Sequence, residues 1–227
     1  MARQLRLGLS RAGPSSRDDF IVSPANAEAV RMLDVWPAWH GGCLALVGAA
    51  GSGKTHLARA WAKAVKAAVI TSPSAVSVVE VERLRGRPVL VEEADQGAPD
   101  ETLFHLINMA GAPNGGVLFT ARSAPSDWPT ALPDLRSRLN ALPVAQLGAP
   151  DDGLLAAVLL RFFRERSIEP ADDVIPYLLR RIERSVPRAR EIVERLDDAV
   201  DDEQRGVSRS LAKQILESED EPHDLFD

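Results

Sequence analysis

Apolar positions follow two rhythms along this 227-residue chain. Up to about residue 150, continuous apolar runs alternate with helical spacings. Cys43–Val47 is such a run and predicts a strand buried on both faces. Leu57, Trp61 and Val65 then recur every four residues and predict a helix. "AAVIT" (67–71) predicts a second strand, residues 74–82 a helix, and "PVLVEEAD" (88–95) a third strand that ends in acids. Asp100 is placed to cap a helix carrying Leu103, Leu106 and Ile107, closed by Gly111. "GGVLFTAR" (115–122) predicts a fourth strand. Ahead of them all, Ser23 or Pro24 opens a helix through Ala29, Val30 and Leu33 that Pro37 ends. Strands alternating with helices predict an α/β fold with a parallel sheet covered on both faces.

The second rhythm is helical throughout. Leu155, Val158, Leu159 and Phe162 mark one helix, and Val174, Leu178 and Ile182 a second. Ala189, Ile192, Val193 and Leu196 mark a third, and Leu211, Ile215 and Leu216 a fourth. With no strand signal past residue 150, the spacing predicts a core over 18–149 and a small all-helical domain over 150–217, joined near Gly148 to Pro150. Residues 218–227 form an acidic tail. Residues 1–17 stand apart. Their "QLRLGL" (4–9) places Leu5, Leu7 and Leu9 on one face by a period of two, as an edge strand or an extended peptide ligand would. Ala12 to Arg17 then reads as a linker.

Composition narrows the classes. A single cysteine, Cys43, excludes an internal disulfide and fits a reducing cytoplasmic setting. There is no apolar run long enough for a membrane span. The formal charge of −6 argues against wrapping nucleic acid electrostatically.

The chemistry concentrates in "GAAGSGKT", from Gly48 through Ala49, Ala50, Gly51, Ser52, Gly53 and Lys54 to Thr55. It matches the phosphate-binding pattern G-x-x-x-x-G-K-[ST] between a buried strand and a helix. Glycines let backbone N–H groups close around phosphate oxygens, and the helix start adds partial positive charge. Lys54 supplies a cation, and Thr55 a hydroxyl for Mg²⁺. The third strand delivers Glu92 and Glu93 to the sheet's carboxyl edge. Glu92 is the candidate for the metal and Glu93 for the attacking water, while Asp95 is a structural spare. Arg136 and Arg138 in "LPDLRSRLNAL" sit two positions apart and cannot share a helix face. One can point to a neighbouring molecule while the other packs at home. Arg188 lies in the first turn of a helix opened by Ser185 and Pro187, where a cation does not help the helix dipole.

Together these features resemble the AAA+ ATPases, which implies a P-loop core with a five-stranded parallel sheet plus a helical lid. "GKTHLARA" is similar to the P-loop helix start of the DnaA initiators, which adds His56 to the nucleotide site. "DDFIVSPANAEAV" resembles the segment that lies along the adenine there, with Asn26 in the place of the family's Asn. "LPDLRSRL" resembles the arginine-finger segment of the Hda group of DnaA-related regulators. The resemblance covers residues 18 to 217. It implies ADP or ATP with Mg²⁺ as ligands, Arg138 as a finger offered in trans, Arg188 as sensor 2 and Thr120 as sensor 1. No part of the sequence matches the DnaA helix-turn-helix, so no dedicated DNA-binding domain is expected.

In the Hda group a leading Q-L-x-L-x-L peptide docks on the sliding clamp of the polymerase. That role falls here on Gln4, Leu5, Leu7 and Leu9. The clamp-bound regulator then stimulates hydrolysis by DnaA and suppresses re-initiation. Two departures bear on the chain's own hydrolysis: the acid pair is Glu-Glu, and Arg122 stands where the DnaA pattern has an Asp. The resemblance thus implies at most weak intrinsic turnover, with the partner's nucleotide as the main target and self-association through the same interface possible. Alternatives are a helicase-loader-like ATPase acting on helicase and single-stranded DNA, and a DNA-binding initiator fragment.

Overall fold

The computed structural model describes residues 20–200 and 206–220. The 4–9 peptide, its linker and the end of the acidic tail lie outside the described residues. Five parallel strands form the central sheet: β1 (Cys43–Val47), β2 (Ala68–Ile70), β3 (Val89–Val91), β4 (Val117–Ala121) and β5 (Val144–Gln146), in the order β2-β3-β4-β1-β5. β1 aligns Cys43 with Val117 on one side and Ala45 with Val144 on the other. Every residue of β1, β3 and β4 is buried, as their unbroken apolar runs require.

Side-chain alternation divides the sheet into two faces. Leu44, Leu46, Leu90 and Leu118 pack with α1 (Ala27–Asp34) and α2 (Lys54–Val65). Ala45, Val89, Val91 and Phe119 pack with α3 (Val78–Glu82), α4 (Asp100–Ala110) and α5 (Pro133–Ala141). A separate core gathers α6 (Asp152–Glu165), α7 (Val174–Leu179), α8 (Val186–Ala199) and α9 (Arg209–Asp220) around Leu155, Leu159, Phe163, Leu178, Ile192 and Leu196. Asp151 caps α6 by accepting the Leu154 N–H at 2.7 Å, and Ser185 caps α8 through the Arg188 N–H at 3.3 Å. The chain entering α1 joins the two cores: Phe20 packs beside α2, and its neighbour Ile21 packs against the helical core. No helix among the described residues is long and apolar enough to cross a membrane.

Several local expectations are corrected. β5 is an edge strand with one buried residue, Ala145, between exposed neighbours, too short for a period to register. The helix expected over 74–82 splits into a 3-10 turn (Pro73–Ala75) and α3, because Ser77 and Glu80 form a reciprocal capping box that restarts it. Asp100 is not the cap of α4; Pro99 holds that position. The Asp100 carboxylate instead accepts from Thr130 Oγ1 at 2.8 Å and the Ala131 N–H at 3.0 Å, tying α4 to the segment after β4. The helix expected from residue 23 or 24 begins at Ala27, with Asn26 at its N-cap position. Past residue 150 a two-residue parallel pair, β6 (Glu169–Pro170) with β7 (Gly206–Val207), adds strand where none was expected.

Candidate nucleotide site

The loop between β1 and α2 curls because its glycines permit it. A Cβ at Gly48 would stand 2.3 Å from the Leu147 carbonyl oxygen. Gly51 has φ +74, and a Cβ there would meet the Ser185 side chain at 2.8 Å. The Gly51 carbonyl accepts the Val186 N–H at 3.2 Å. The loop is therefore braced against the start of α8. Gly53, with φ +97, turns the chain into α2, whose N-terminal N–H groups face the loop's concavity. Lys54 Nζ donates to the Gly48 and Ala49 carbonyls at 2.7 Å each. Its pKa is lowered, first by burial and then by the Arg122 charge, while Asp95 and Glu93 oppose the shift.

Two pockets flank this loop. The polar one collects Lys54, Thr55, Glu93, Asp95, Thr120 and Arg122 beside Ala50 and Gly51. Glu93 holds a left-handed backbone, φ 51, where strain is tolerated only if the surroundings fix it. The Thr120 hydroxyl supplies that fixing by accepting the Glu93 N–H at 3.1 Å. Arg122 lies 3.9 Å from the Glu93 carboxylate. Asp95 Oδ2 accepts the Arg122 N–H at 2.8 Å and the Ser123 N–H at 3.3 Å, while its buried Oδ1 has no hydrogen-bond partner among the described residues.

The structure does not bring Glu92 into this pocket. Strand alternation puts it on the α2 face with Leu90. There it is 5% exposed and accepts from Arg59 Nε at 3.0 Å and Nη2 at 2.8 Å. The carboxylate assigned to the metal is thus bound to a guanidinium. The pocket's carboxylates are Glu93 and Asp95, and with the Thr55 hydroxyl they suit a hydrated Mg²⁺, which takes oxygen ligands and keeps several waters.

The second pocket is apolar and lies between the loop and the helical core. Phe20, Ile21, His56, Leu154, Val158 and Phe162 are prominent in its lining, with Arg190 at its edge, stacked 4.4 Å over the Phe162 ring. Phe20 and His56 stack with centroids 5.8 Å apart and planes at 25°. Ser52, whose buried Oγ has no hydrogen-bond partner among the described residues, faces the same space. Asn26 lines it as well, but its amide is occupied: Oδ1 accepts the Ser23 N–H at 2.8 Å, and Nδ2 donates to the Ile21 carbonyl at 2.9 Å. Asn26 thus shapes the strap that carries Phe20 and Ile21. An apolar slot with stacked rings next to a phosphate-type loop fits a flat base joined to a polyphosphate.

The predicted arginines separate. Arg136 donates to the Ser126 and Trp128 carbonyls at 2.6 and 2.7 Å and is spent on the fold. Arg138 is exposed, with its guanidinium 5.0 Å over the Phe104 ring. Its charge acts on Cys43, at the opposite end of β1 from the P-loop, where burial pushes the thiol up to about 12. Arg188 pairs with Glu191 at 3.0 Å along the first turn of α8, close to the P-loop brace at Ser185 and Val186, and lines neither pocket.

No family model matches the sequence, and no curated protein matches it either. Solved structures do. Domain III of the replication initiation protein DnaA from Thermotoga maritima superposes with a TM-score of 0.71 at 18% identity, over 90% of this chain and 96% of that one. The Thermotoga maritima RuvB Holliday junction branch migration motor gives 0.67 at 18%, over 90% of this chain and 72% of that one. A replication initiator DnaA bound to AMPPCP and single-stranded DNA gives 0.58 at 17%, over 80% of this chain and 64% of that one.

The chain shares the core fold of these proteins, a five-stranded parallel sheet with helices on both faces. Within that fold the glycine-rich loop and the acids that end β3 were legible from spacing, whereas Thr120 was named only through the resemblance. Phe162 and Arg190 were not, because no local pattern marks a pocket assembled from four distant segments, whereas Phe20 and Ile21 lie in the segment that the resemblance sets along the base. Arg59 carried no signal either, since its meaning depends on Glu92 pointing toward α2.

Proposed function

We propose that this chain is a nucleotide-binding AAA+ regulator of replication initiation that accelerates ATP hydrolysis by DnaA through Arg138. The observation that carries this reading is the setting of Arg138. β1 is five residues long, so its two ends lie about 13 Å apart at the usual strand rise. Arg138 acts electrostatically on the end away from the P-loop. A guanidinium so placed serves another molecule's nucleotide better than its own. Phe104 beneath it limits its rotamers without sequestering its donors.

In this reading the apolar pocket takes the base and the P-loop the phosphates of ADP or ATP. Lys54 and the α2 N-terminus neutralise the phosphate charge. Thr55 and the pocket carboxylates would hold Mg²⁺, which would supply positive charge against the phosphates. Arg188, at the start of α8, links the helical domain to the nucleotide state as sensor 2, and Thr120 holds the sensor-1 position. The Gly51–Val186 bond already braces the helical core against the loop, so that a nucleotide held there would be sensed by both. The 4–9 peptide, with Gln4, Leu5, Leu7 and Leu9, tethers the protein to the sliding clamp as an extended ligand. An arginine supplied in trans is worth about 10³ to 10⁵ in rate in well-studied GTPases, enough to set the partner's nucleotide state without turnover at the chain's own site.

Clamp capture with and without residues 1 to 10, paired with DnaA-ATP hydrolysis on clamp-loaded DNA, tests the reading. Capture and faster hydrolysis that both depend on the peptide support it. Unchanged hydrolysis with the full chain removes it, and basal ATP turnover that ignores the clamp points to the helicase-loader alternative.

A further inference from the structure

The geometry points to Asp95 as the carboxylate that serves the divalent cation of a bound nucleotide, in the role that the order of acids along the chain gives to Glu92. The inference rests on the nucleotide-binding reading above and deepens it. Three observations converge. Glu92 is withdrawn: it sits on the α2 face, buried, with both oxygens engaged by Arg59. Breaking a buried pair by removing one partner leaves an uncompensated charge, so this carboxylate is not readily released to a cation.

Asp95, by contrast, lines the same pocket as Lys54 and Thr55. It is also held for use. The Arg122 and Ser123 N–H groups fix Oδ2 at 2.8 and 3.3 Å, which orients the carboxyl plane and leaves Oδ1 as the free acceptor. That oxygen is buried and has no partner among the described residues, an arrangement that costs free energy unless a ligand or water completes it.

The chemistry suits Mg²⁺ more than a second arginine. Mg²⁺ dehydrates reluctantly and is held by one or two carboxylates and phosphate oxygens, often through its own waters. A fixed carboxylate oxygen is a good acceptor for such a water, and the Thr55 hydroxyl of the same pocket would be available to the ion as an oxygen ligand. Glu93, 3.9 Å from Arg122, is left to face the terminal phosphate side. The sheet edge thus moves the metal-serving carboxylate three positions along the chain, with Arg59 filling the place the cation leaves at Glu92.

The test is calorimetric binding of ADP to the full chain in Mg²⁺ and in EDTA, for the wild type, Asp95→Asn and Glu92→Gln. Mn²⁺ replaces Mg²⁺ in a parallel paramagnetic resonance measurement of the bound ion. The inference expects Mg²⁺ to tighten wild-type binding, and Asp95→Asn to lose about tenfold or more in metal affinity, the range for outer-shell metal partners. Glu92→Gln keeps the Mg²⁺ effect although it lowers thermal stability. A Mg²⁺ effect that survives Asp95→Asn at wild-type size overturns the inference, whatever Glu92→Gln does, as does ADP binding that ignores Mg²⁺ in the wild type. A wild type that binds no ADP under either condition overturns the nucleotide reading along with it.

Discussion

The two pockets beside the P-loop teach different lessons. The polar pocket is built from three short segments that each end a strand of one sheet, so its residues arrive with a recognisable spacing. The apolar pocket takes Phe20 from the N-terminal strap, His56 from α2, Leu154 and Phe162 from α6 and Arg190 from α8. Its existence depends on how the helical core seats against the sheet, which no local period encodes. One side of the site is thus fixed by strand chemistry and the other by packing between two cores, and the two sides should fail differently under mutation.

The largest effect falls on the polar side. Lys54→Ala removes the lysine that lines this pocket and is expected to weaken ADP binding about 100-fold, the size of a charge-assisted contact or two, with the fold retained. Isothermal titration checks it, and an unchanged affinity breaks the assignment of this pocket to phosphate.

Next comes the brace between the sides. Gly51→Ala meets both a positive φ and a 2.8 Å approach to Ser185. It is expected to cost about 1–3 kcal/mol in chemical denaturation and to loosen the helical core from the loop. Retained stability would mean that the two pockets are not mechanically joined through Gly51.

On the apolar side, Phe20→Ala removes a stacking surface and is expected to weaken ADP about tenfold, in line with about 1–3 kcal/mol per base on an aromatic ring. Inorganic pyrophosphate binding should not change. Equal losses for both ligands would contradict the division of labour.

The smallest effect tests the helical core alone. Asp151→Ala removes the α6 cap and is expected to cost about 1 kcal/mol. The Leu154 N–H holds the Asp151 carboxyl below its usual value of 3.8. The stability it contributes is therefore complete above the unfolded-state pKa and fades as pH falls through the lower folded value. An acid titration of the variant should lack that component.

What the sequence revealed follows the same line. β1, β3 and β4 were legible because burial on both faces leaves no polar interruption, and the P-loop because phosphate binding demands glycine at fixed spacing. Val144–Gln146 was missed because an edge strand with one buried residue has no period. Asp100 looked like a cap because Asp is a preferred N-cap residue and an apolar helix follows it; its carboxylate instead meets Thr130, thirty residues on. Glu92 shows the same limit at the site. The run "VLVEE" tells where the strand ends, but not that Arg59 waits on the face to which Glu92 points.

The account's central claim concerns Arg138, and hydrolysis of DnaA-bound ATP in a single turnover, on clamp-loaded DNA, tests it most directly. The account predicts that the wild-type chain accelerates hydrolysis and that Arg138→Ala removes the acceleration while ADP affinity and thermal stability stay at wild-type values. Full acceleration by Arg138→Ala, or none by the wild type, would contradict it.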